Sequence, residues 1–283
     1  MKKHILASIV IPIKDNSDML KKCLDSISKQ NYRPIEVIIN DDKKFPSGDN
    51  EELAKKFDSR KLKIVYVKKN EGMAQARHSG FLISSGECVL HLDSDMTLGK
   101  KVIKECVQKI DPYGGLIIPE KSVASDFWGN CRKLERECYL GDESIECARF
   151  YKREAYEKIQ YHDDSLVFSE DRDVHIRIKK TGYKIGRINS FIYHHEGKNK
   201  LTTQFKKRFY YGTTGERYIN KHPLEALIQA NIIFRPAFFR NWRLLAKNPH
   251  LTIGMFVLRL AEFTAFTAGM IYNRFFSSRR KKL

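Results

Sequence analysis

Between residues 5 and 95, short apolar runs alternate with stretches in which apolar residues recur at helical spacing. The apolar runs cover residues 9–11, 35–39, 62–67 and 88–92. Strands separated by helices indicate a mostly parallel sheet with helices on both faces. In such sheets, ligands bind beyond the carboxyl ends of the strands. We therefore predict an α/β fold whose functional residues directly follow the apolar runs.

The charge balance limits the kinds of partner. The 52 lysines and arginines exceed the 34 acidic residues and give a net charge of +18. A chain this basic favours an anionic partner, namely a nucleic acid, a nucleotide-bearing substrate or an acidic membrane surface. A hydrophobic content of 42% argues against global disorder. The six cysteines form no C-x-x-C pair, which argues against a zinc knuckle and favours a reducing cytoplasm.

Two aspartates, Asp93 and Asp95, come directly after the fourth apolar run. On an extended backbone, residues i and i+2 point the same way, so both carboxylates could converge on one site. Two carboxylates repel one another unless a cation lies between them, and Mg²⁺ and Mn²⁺ prefer oxygen ligands together with phosphates. The motif alone is also compatible with two solvated acids at the end of a strand.

Further candidates follow the second and third apolar runs. Asp41 and Asp42 end the second run, where a carboxylate can accept a hydrogen bond from a base or a ribose, or simply belong to an acidic turn. Asn70-Glu71-Gly72 predicts a turn that enters a helix carrying Arg77. Helix N-termini and arginine both favour phosphate, although a capped helix with a surface arginine would look the same.

The later part of the chain offers two more candidates. Glu170 and Asp171 precede a predicted helix, either as ordinary acids of a first helical turn or as a general base. His194 and His195 follow a short apolar pair, where a histidine could complete a metal site or bind a diphosphate, or be structural or exposed.

From residue 201 onward the chain is basic and aromatic, and it includes an apolar segment at 251–273. The segment is about long enough to span a bilayer, but it carries Arg259 and Glu262 on one helical face. A helix in the membrane interface and a helix packed in a bundle would both show this pattern. The basic tail that follows suits anionic lipid headgroups.

Five motifs together resemble the family 2 glycosyltransferases, inverting enzymes of the GT-A type that use nucleotide-activated sugars. The matching motifs lie at residues 8–16, 38–42, 70–77, 92–95 and 170–185. The resemblance implies a GT-A catalytic domain at 1–200, with a nucleotide-sugar half at 1–98 and an acceptor half at 99–200. A helical and membrane-associated region is expected at 201–283. Lys43 and Lys44 depart from the small residues that usually follow the paired aspartates in this family.

The resemblance also implies roles for individual residues. Pro12 and Asp42, with Asp41 as the alternative, would line the nucleoside site, and Arg77 would lie near the base or diphosphate. Asp93 and Ser94 would contact the nucleotide sugar, and Asp95, with Asp93 and His195, would bind Mn²⁺ or Mg²⁺. Asp171, or Glu170 beside it, would deprotonate the acceptor hydroxyl.

These inferences predict a glycosyltransferase that uses a nucleoside-diphosphate sugar, with UDP favoured over GDP. The expected acceptor is a hydroxyl or phosphate of a lipid-linked glycan or a polysaccharide precursor. We expect an anionic membrane surface as a partner, no nucleic acid, and a cytoplasmic location at the inner face of the cell membrane. The alternatives are a nucleotidyltransferase, against which the first loop lacks glycines, and a basic nucleic-acid-binding protein.

Overall fold

The computed structural model describes residues 5–14, 17–43, 48–69, 72–198, 200–231 and 235–277. The chain forms two compact units. The first comprises Met1–Glu120, Cys147–Asp164 and Glu170–His194. The second comprises Lys121–Glu146, Ser165–Ser169 and His195–Leu283. The second unit therefore includes residues 121–146, which the sequence analysis had assigned to the acceptor half.

The first unit is built on a seven-stranded sheet with the order β3-β2-β1-β4-β8-β6-β9. The four predicted strands are parallel: β1 (Ala7–Ile13), β2 (Ile35–Asp41), β3 (Lys63–Lys68) and β4 (Cys88–His91). Strand β8 (Ala148–Lys152) is antiparallel to both β4 and β6 (Gly115–Ile117), and β9 (Ile185–Arg187) is parallel to β6. The predicted mostly parallel sheet is confirmed, with β8 as its antiparallel member.

Helices cover both faces of this sheet. They are α1 (Ser17–Ser28), α2 (Asp49–Phe57), α3 (Met73–Ile83), α4 (Val102–Lys109), α6 (Arg153–Lys158) and α7 (Glu170–Lys180). Successive side chains of β1 point to opposite faces of the sheet. Ile9 and Ile11 pack in one buried cluster, and Val10 packs in another with Val174 of α7. A short antiparallel pair, β5 (Met96–Leu98) and β10 (Ile192–His195), lies beyond the end of β4.

The second unit is mainly helical. Its helices are α5 (Phe127–Tyr139), α8 (Leu201–Lys221), α9 (Pro223–Ala230), α10 (Pro236–Arg240), α11 (Trp242–Lys247) and α12 (Pro249–Tyr272). A π-helical turn, Asn273–Ser277, follows α12, and strand β7 (Glu120–Val123) begins where the first unit ends. Helix α12 confirms the helix predicted for residues 251–273, whereas the basic residues 279–282 lie outside the described residues.

Glycines allow α8 and α12 to approach very closely. A Cβ atom added at Gly212 would lie 2.1 Å from the carbonyl oxygen of Phe266, and one added at Gly269 would lie 2.1 Å from that of Phe209. Both distances are far shorter than a van der Waals contact. The backbones of α8 and α12 therefore touch at positions where any larger residue would force them apart.

Candidate active site

The Asp-x-Asp motif lies on a turn after β4. The strand ends at His91, and the Met96 N–H donates to the Asp93 carbonyl oxygen across the turn at 3.0 Å. The expectation that both carboxylates project from one extended backbone is therefore wrong. Because the chain turns at Ser94 and Asp95, the carboxylates of Asp93 and Asp95 have different partners.

Arg77 of α3 joins the motif to the start of α7. Its Nη2 donates to Asp93 Oδ1 at 2.7 Å, and its Nη1 donates to Glu170 Oε1 at 2.8 Å. The side chain of Arg77 is only 6% exposed. Charge-assisted hydrogen bonds are about twice as strong as neutral ones, so this bridge holds Glu170 beside the turn.

A second arginine, Arg149 of β8, contacts three acidic residues. Its Nε donates to Glu120 Oε1 at 2.6 Å, and its Nη1 lies 3.4 Å from Asp93 Oδ2 and 3.8 Å from Asp171 Oδ2. We refer to Arg77, Arg149, Glu120, Asp93, Glu170 and Asp171 as the acidic cluster. Two arginines there face four carboxylates, so the cluster has an excess of negative charge when all four are ionised.

Asp95 lies beside this cluster, and one of its carboxylate oxygens accepts no hydrogen bond from the described residues. Its Oδ2 is 3.4 Å from Nε2 of His194, whereas its Oδ1 is buried and has no hydrogen-bond partner among the described residues. The side chain as a whole is 42% exposed. Burial disfavours the charge of Asp95 and is the largest single influence on it. The contact with His194, its own backbone N–H and the charge of Arg149 together outweigh burial and lower the pKa of Asp95 below its ordinary value.

His194 therefore contacts Asp95, whereas the sequence analysis had named His195. The two histidines are neighbours in β10, where successive side chains point to opposite faces of the strand. His194 Nδ1 also lies 3.7 Å from Glu120 Oε2. His195 belongs to the second compact unit.

The two acids at the start of α7 differ in their electrostatics. Burial and the neighbouring charge of Asp171 raise the pKa of Glu170 to about 7. Burial also disfavours the charge of Asp171, but Arg77, His162 and Arg149 hold its pKa well below its usual range. Asp171 is therefore the permanently ionised member of the pair.

The contacts of the pair differ as well. Glu170 Oε1 is fixed by Arg77, whereas the side-chain contacts of Asp171 with the described residues are long, at 3.4 Å to His162 and 3.8 Å to Arg149. The Asp171 side chain is also the more exposed of the two, at 25% against 18%. By its exposure and its long contacts Asp171 is the better placed of the two to accept a proton from a bound group, whereas by its raised pKa Glu170 is the stronger base.

Two of the proposed nucleoside residues are tied into the protein. Asp41 ends β2 and is completely buried, and its Oδ2 accepts hydrogen bonds from Asn50 at 2.9 Å and Tyr66 at 2.6 Å. Asp42 Oδ1 accepts from the Gly72 N–H at 2.7 Å, next to the first residue of α3. Asp41 therefore stabilises the loop after β2, and Asp42 holds the start of α3.

The other predicted nucleotide residues lie at the carboxyl edge of the sheet or in the turn beyond it. Pro12 is buried in β1, one residue before the strand ends, and Ser94 is partly exposed on the turn after β4. Asn70 and Glu71 of the predicted turn, Asp15 and Asn16 of the first loop, and Lys44 lie outside the described residues.

Sequence reasoning missed three residues of this region: Arg149, Glu120 and His162. The signal for Arg149 was a single cation within the otherwise apolar run of residues 148–151. A cation in a buried strand needs an acidic partner, and this requirement could have led to the acidic cluster. Glu120 and His162 carried no comparable sequence signal.

The residues present fit a divalent cation that shares its ligands with a substrate. Among the described residues, no group of three or more histidine, cysteine, aspartate or glutamate side chains could hold a metal ion. The unpartnered Oδ1 of Asp95, next to an excess of carboxylates, nevertheless provides a hard oxygen ligand. A cation here would need further ligands from phosphate or water.

Comparison with known proteins gives a consistent result. Residues 8–169 match the model of the family described as Glycosyl transferase family 2. The glycosyltransferase GlyA of Streptococcus pneumoniae is 33% identical over 108 residues, which is 38% of this chain and 15% of GlyA. The amylovoran biosynthesis glycosyltransferase AmsB of Erwinia amylovora is 28% identical over 210 residues, which is 66% of this chain and 68% of AmsB.

Solved structures share the fold. The mannosyltransferase PcManGT from Pyrobaculum calidifontis, in complex with GDP-Man and Mn²⁺, matches with a TM-score of 0.65 and 14% identity, over 97% of this chain and 88% of PcManGT. S. aureus TarS 1–349 in complex with UDP-GlcNAc matches with a TM-score of 0.54 and 15% identity, over 95% of this chain and 91% of that one. Because the matching family model covers more than half of the sequence, the chain belongs to the family 2 glycosyltransferases.

Proposed function

We propose that this protein is an inverting glycosyltransferase that transfers a sugar from a nucleoside-diphosphate sugar to a hydroxyl or phosphate acceptor, with a divalent metal ion. The observation that carries the proposal is the acidic cluster beside Asp95, at the carboxyl edge of the sheet in a chain of net charge +18. A diphosphate is repelled by carboxylates unless a cation lies between them, and this site has both the acids and an unpartnered carboxylate oxygen.

Asp95 would hold Mn²⁺ or Mg²⁺, with Asp93 close by. Asp95 is the better ligand because Asp93 is already bonded to Arg77 and contacts Arg149. When bound, such an ion neutralises the charge that develops on the departing nucleoside diphosphate. The Mn²⁺ and GDP-Man in the PcManGT structure support this assignment.

Asp171 would act as the general base. Its carboxylate accepts the proton of the acceptor hydroxyl as that oxygen attacks the anomeric carbon, and the bond from that carbon to the diphosphate oxygen breaks. Attack from the opposite face gives a single displacement with inversion. Glu170, fixed by Arg77, would orient that arginine rather than take the proton.

For the donor we propose UDP before GDP, with Pro12, Asp42 and Arg77 around the nucleotide. The UDP-GlcNAc in the TarS structure supports a uridine nucleotide, and relatives named N-acetylglucosaminyltransferase in Rhizobium and Azorhizobium support an N-acetylhexosamine. The named role of AmsB in amylovoran biosynthesis supports a polysaccharide or lipid-linked acceptor.

The donor site is tested by calorimetric titration with UDP and GDP, first with Mn²⁺ and then with EDTA. We expect one diphosphate to bind only with metal, and Asp95→Ala to weaken that binding at least about 100-fold, since it removes a hard ligand of the ion. Asp111→Ala, an exposed aspartate before the amino end of β6, is the matched control. Metal-independent binding, or unchanged binding by Asp95→Ala, would contradict the site assignment.

We further propose that the second unit attaches the protein to the inner face of an anionic membrane, with α12 lying in the plane of the interface. By length and composition Pro249–Phe276 could cross a bilayer, but the core helix of a soluble protein meets the same criteria. Arg259 and Glu262 in the middle of this segment, however, are buried within the unit: Arg259 is hydrogen-bonded to Glu135, and Glu262 to Arg132. Charges paired in this way favour a packed helix over a lipid-surrounded span.

The neighbour of α12 supports the same orientation. Helix α8 touches α12 at Gly212 and Gly269 and carries the exposed Lys206 and Lys207. A spanning α12 would draw these lysines towards the hydrocarbon, at a cost of several kcal/mol each. An in-plane α12 would keep them at the level of the anionic headgroups and bury its exposed apolar face, formed by Ile253, Val257, Leu260 and Phe263.

Vesicle flotation tests this orientation. We expect binding to phosphatidylglycerol vesicles but not to pure phosphatidylcholine, release by alkaline carbonate, and a clear loss of binding for Leu260→Glu. Leu82→Glu on α3 is the matched control, because both leucines are 59% exposed. Resistance to carbonate would instead indicate a spanning helix, and equal binding by both variants would exclude this face of α12.

A further inference from the structure

We propose that His162, itself held by the hydroxyl of Tyr156, is a positioning residue that orients Asp171 and leaves one of its carboxylate oxygens free to face the acceptor. The inference deepens the proposed function and rests on it, because it assumes that Asp171 is the base. It assigns a role to two buried polar side chains that the reaction as described above does not use.

The three groups form a continuous chain in the first unit. His162 Nε2 lies 3.4 Å from Asp171 Oδ1, and the ring's other nitrogen, Nδ1, is hydrogen-bonded to the Tyr156 hydroxyl. The His162 side chain has no exposure, and Tyr156 is completely buried. The edge of the His162 ring packs against His91, with centroids 4.9 Å apart and planes at 85°. The ring is therefore fixed from three sides.

The hydrogen-bond partners determine where the protons lie. Burial lowers the pKa of His162, so the ring is neutral and carries a single N–H. Asp171 is ionised and can only accept, so that N–H must be on Nε2. Nδ1 is then an acceptor, and the Tyr156 hydroxyl, whose pKa burial raises, keeps its proton and donates to it. Each donor in the chain thus meets an acceptor.

The backbone before His162 is held in a costly conformation. Gln160 and Tyr161 both have left-handed φ angles, 58° and 66°, which are unfavourable for residues other than glycine. Arg177 of α7 holds this turn, because it donates to the carbonyl oxygens of Ile159 and Tyr161 and, at 2.7 Å, to Asp173. The turn and α7 are thereby tied together, which fixes His162 against Asp171 of the same helix.

This arrangement distinguishes the two oxygens of Asp171. Oδ1 faces the His162 N–H, whereas Oδ2 has only Arg149, at 3.8 Å, among the described residues. Oδ2 is therefore the oxygen that accepts the acceptor's proton. A carboxylate held on one side loses less freedom when the acceptor binds, so the His162 contact should raise kcat without changing donor affinity.

A pair of tyrosine variants tests this role. Tyr156 and Tyr151 are both buried and their rings stack 5.4 Å apart, but within the described part of the chain the Tyr151 hydroxyl donates only to the carbonyl oxygen of Ala148. The readout is release of nucleoside diphosphate from UDP-GlcNAc, UDP-glucose or GDP-mannose, whichever the wild type binds, with water as acceptor. We expect Tyr156→Phe to lower kcat about tenfold. A positioned general base typically accelerates a reaction about 10²- to 10⁴-fold, and this variant should lose part of that acceleration. Tyr151→Phe should stay close to wild type, and the donor KM should be unchanged in both.

Substitutions of His162 give a second comparison. His162→Gln keeps a donor that can reach Asp171 and should retain more kcat than His162→Leu, which keeps none. Equal rates for these two variants, together with equal rates for Tyr156→Phe and Tyr151→Phe, would overturn the proposal.

The ring nitrogens provide a readout that needs no substrate. In ¹⁵N correlation spectra, with His162 assigned by its loss in His162→Gln, we expect a neutral ring protonated on Nε2 in the wild type. We also expect a tautomer mixture in Tyr156→Phe. A charged ring, or one protonated on Nδ1, would overturn the inference even if the variants fold poorly. Failure of the wild type to bind any nucleotide would refute the proposed function and leave this spectroscopic test intact.

Discussion

Each compact unit contains a buried group of arginines and carboxylates, and the two groups differ in balance. In the acidic cluster of the first unit, two arginines face four carboxylates. In the second unit, Arg132 and Arg259 face Glu135 and Glu262, and Arg208 lies 3.4 Å from Glu262. We call the two buried arginines and the two glutamates the balanced cluster; Arg208, which is 30% exposed, lies at its edge.

The pKa values of two glutamates express the difference. Both are buried, which opposes ionisation. In the balanced cluster, Arg132 and Arg259 overcome burial and lower the pKa of Glu135 to about 2. In the acidic cluster, burial and Asp171 raise the pKa of Glu170 to about 7. A buried charge with complete partners is structural, whereas an excess of like charge in an accessible site is typical of function.

The largest expected effect is a loss of transfer activity when a carboxylate of the acidic cluster, and not of the balanced cluster, is neutralised. Asp171→Asn removes the proposed base from the acidic cluster but preserves the shape of the side chain. Transfer should fall about 10²- to 10⁴-fold while metal-dependent nucleotide binding is retained. Single-turnover transfer and calorimetry measure the two properties. Loss of both together would indicate that Asp171 is as structural as Glu135.

The next effect separates the clusters by stability. Glu135→Gln removes the negative charge that Arg259 and Arg132 share, and only Arg132 keeps its second partner, Glu262. The free energy of unfolding should therefore fall by about 3 kcal/mol at neutral pH. Because the folded-state pKa is lowered, the stabilisation by Glu135 is present above its ordinary value of 4.5 and is lost as the pH falls towards 2. Urea unfolding measures it, with Glu137→Gln on the same helix as control. An effect no larger than that of the control would contradict the structural role of this cluster.

The smallest effect is a pH dependence of opposite sign. The raised pKa of Glu170 means that the folded state holds a proton that the unfolded state releases between pH 4.5 and 7. The wild type should therefore lose about 1–2 kcal/mol relative to Glu170→Gln between pH 5 and pH 8, since the side chain is 18% exposed. Urea unfolding of both proteins across this range tests it. A difference that is constant with pH would show that Arg77 keeps Glu170 ionised throughout.

Much of the first unit could be predicted from sequence because its signals are local. The apolar runs at β1, β2 and β4 are buried on both faces, as parallel strands require. Asp41 is the last residue of β2, and Asp93 lies two residues beyond the end of β4. In a parallel sheet the residues directly after each strand lie at the carboxyl edge. The order of apolar runs and acidic residues along the chain was therefore enough to predict that the candidate acids lie at this edge.

What could not be predicted depends on contacts between distant segments. Strand β8 reverses direction within the sheet and brings Arg149 to Asp93, 56 residues away in sequence. Asp95 contacts His194, and not His195, because of the turn at Asp95 and because successive side chains of β10 point to opposite faces. Hydrophobic periodicity predicts neither feature. The left-handed turn at Gln160 and Tyr161 brings His162 to Asp171. Neither residue is a glycine or an asparagine, so the sequence gives no signal for this conformation.

The glycine contact between α8 and α12 means that the two sides of the apolar helix α12 have different roles. Backbone touching backbone at Gly212 and Gly269 sets the spacing of the two helices. The outward side chains, such as Ile253 and Leu260, contribute little to that spacing. Substitutions at these outward positions should therefore leave the helix pair intact, whereas a larger residue at either glycine would push the two backbones apart.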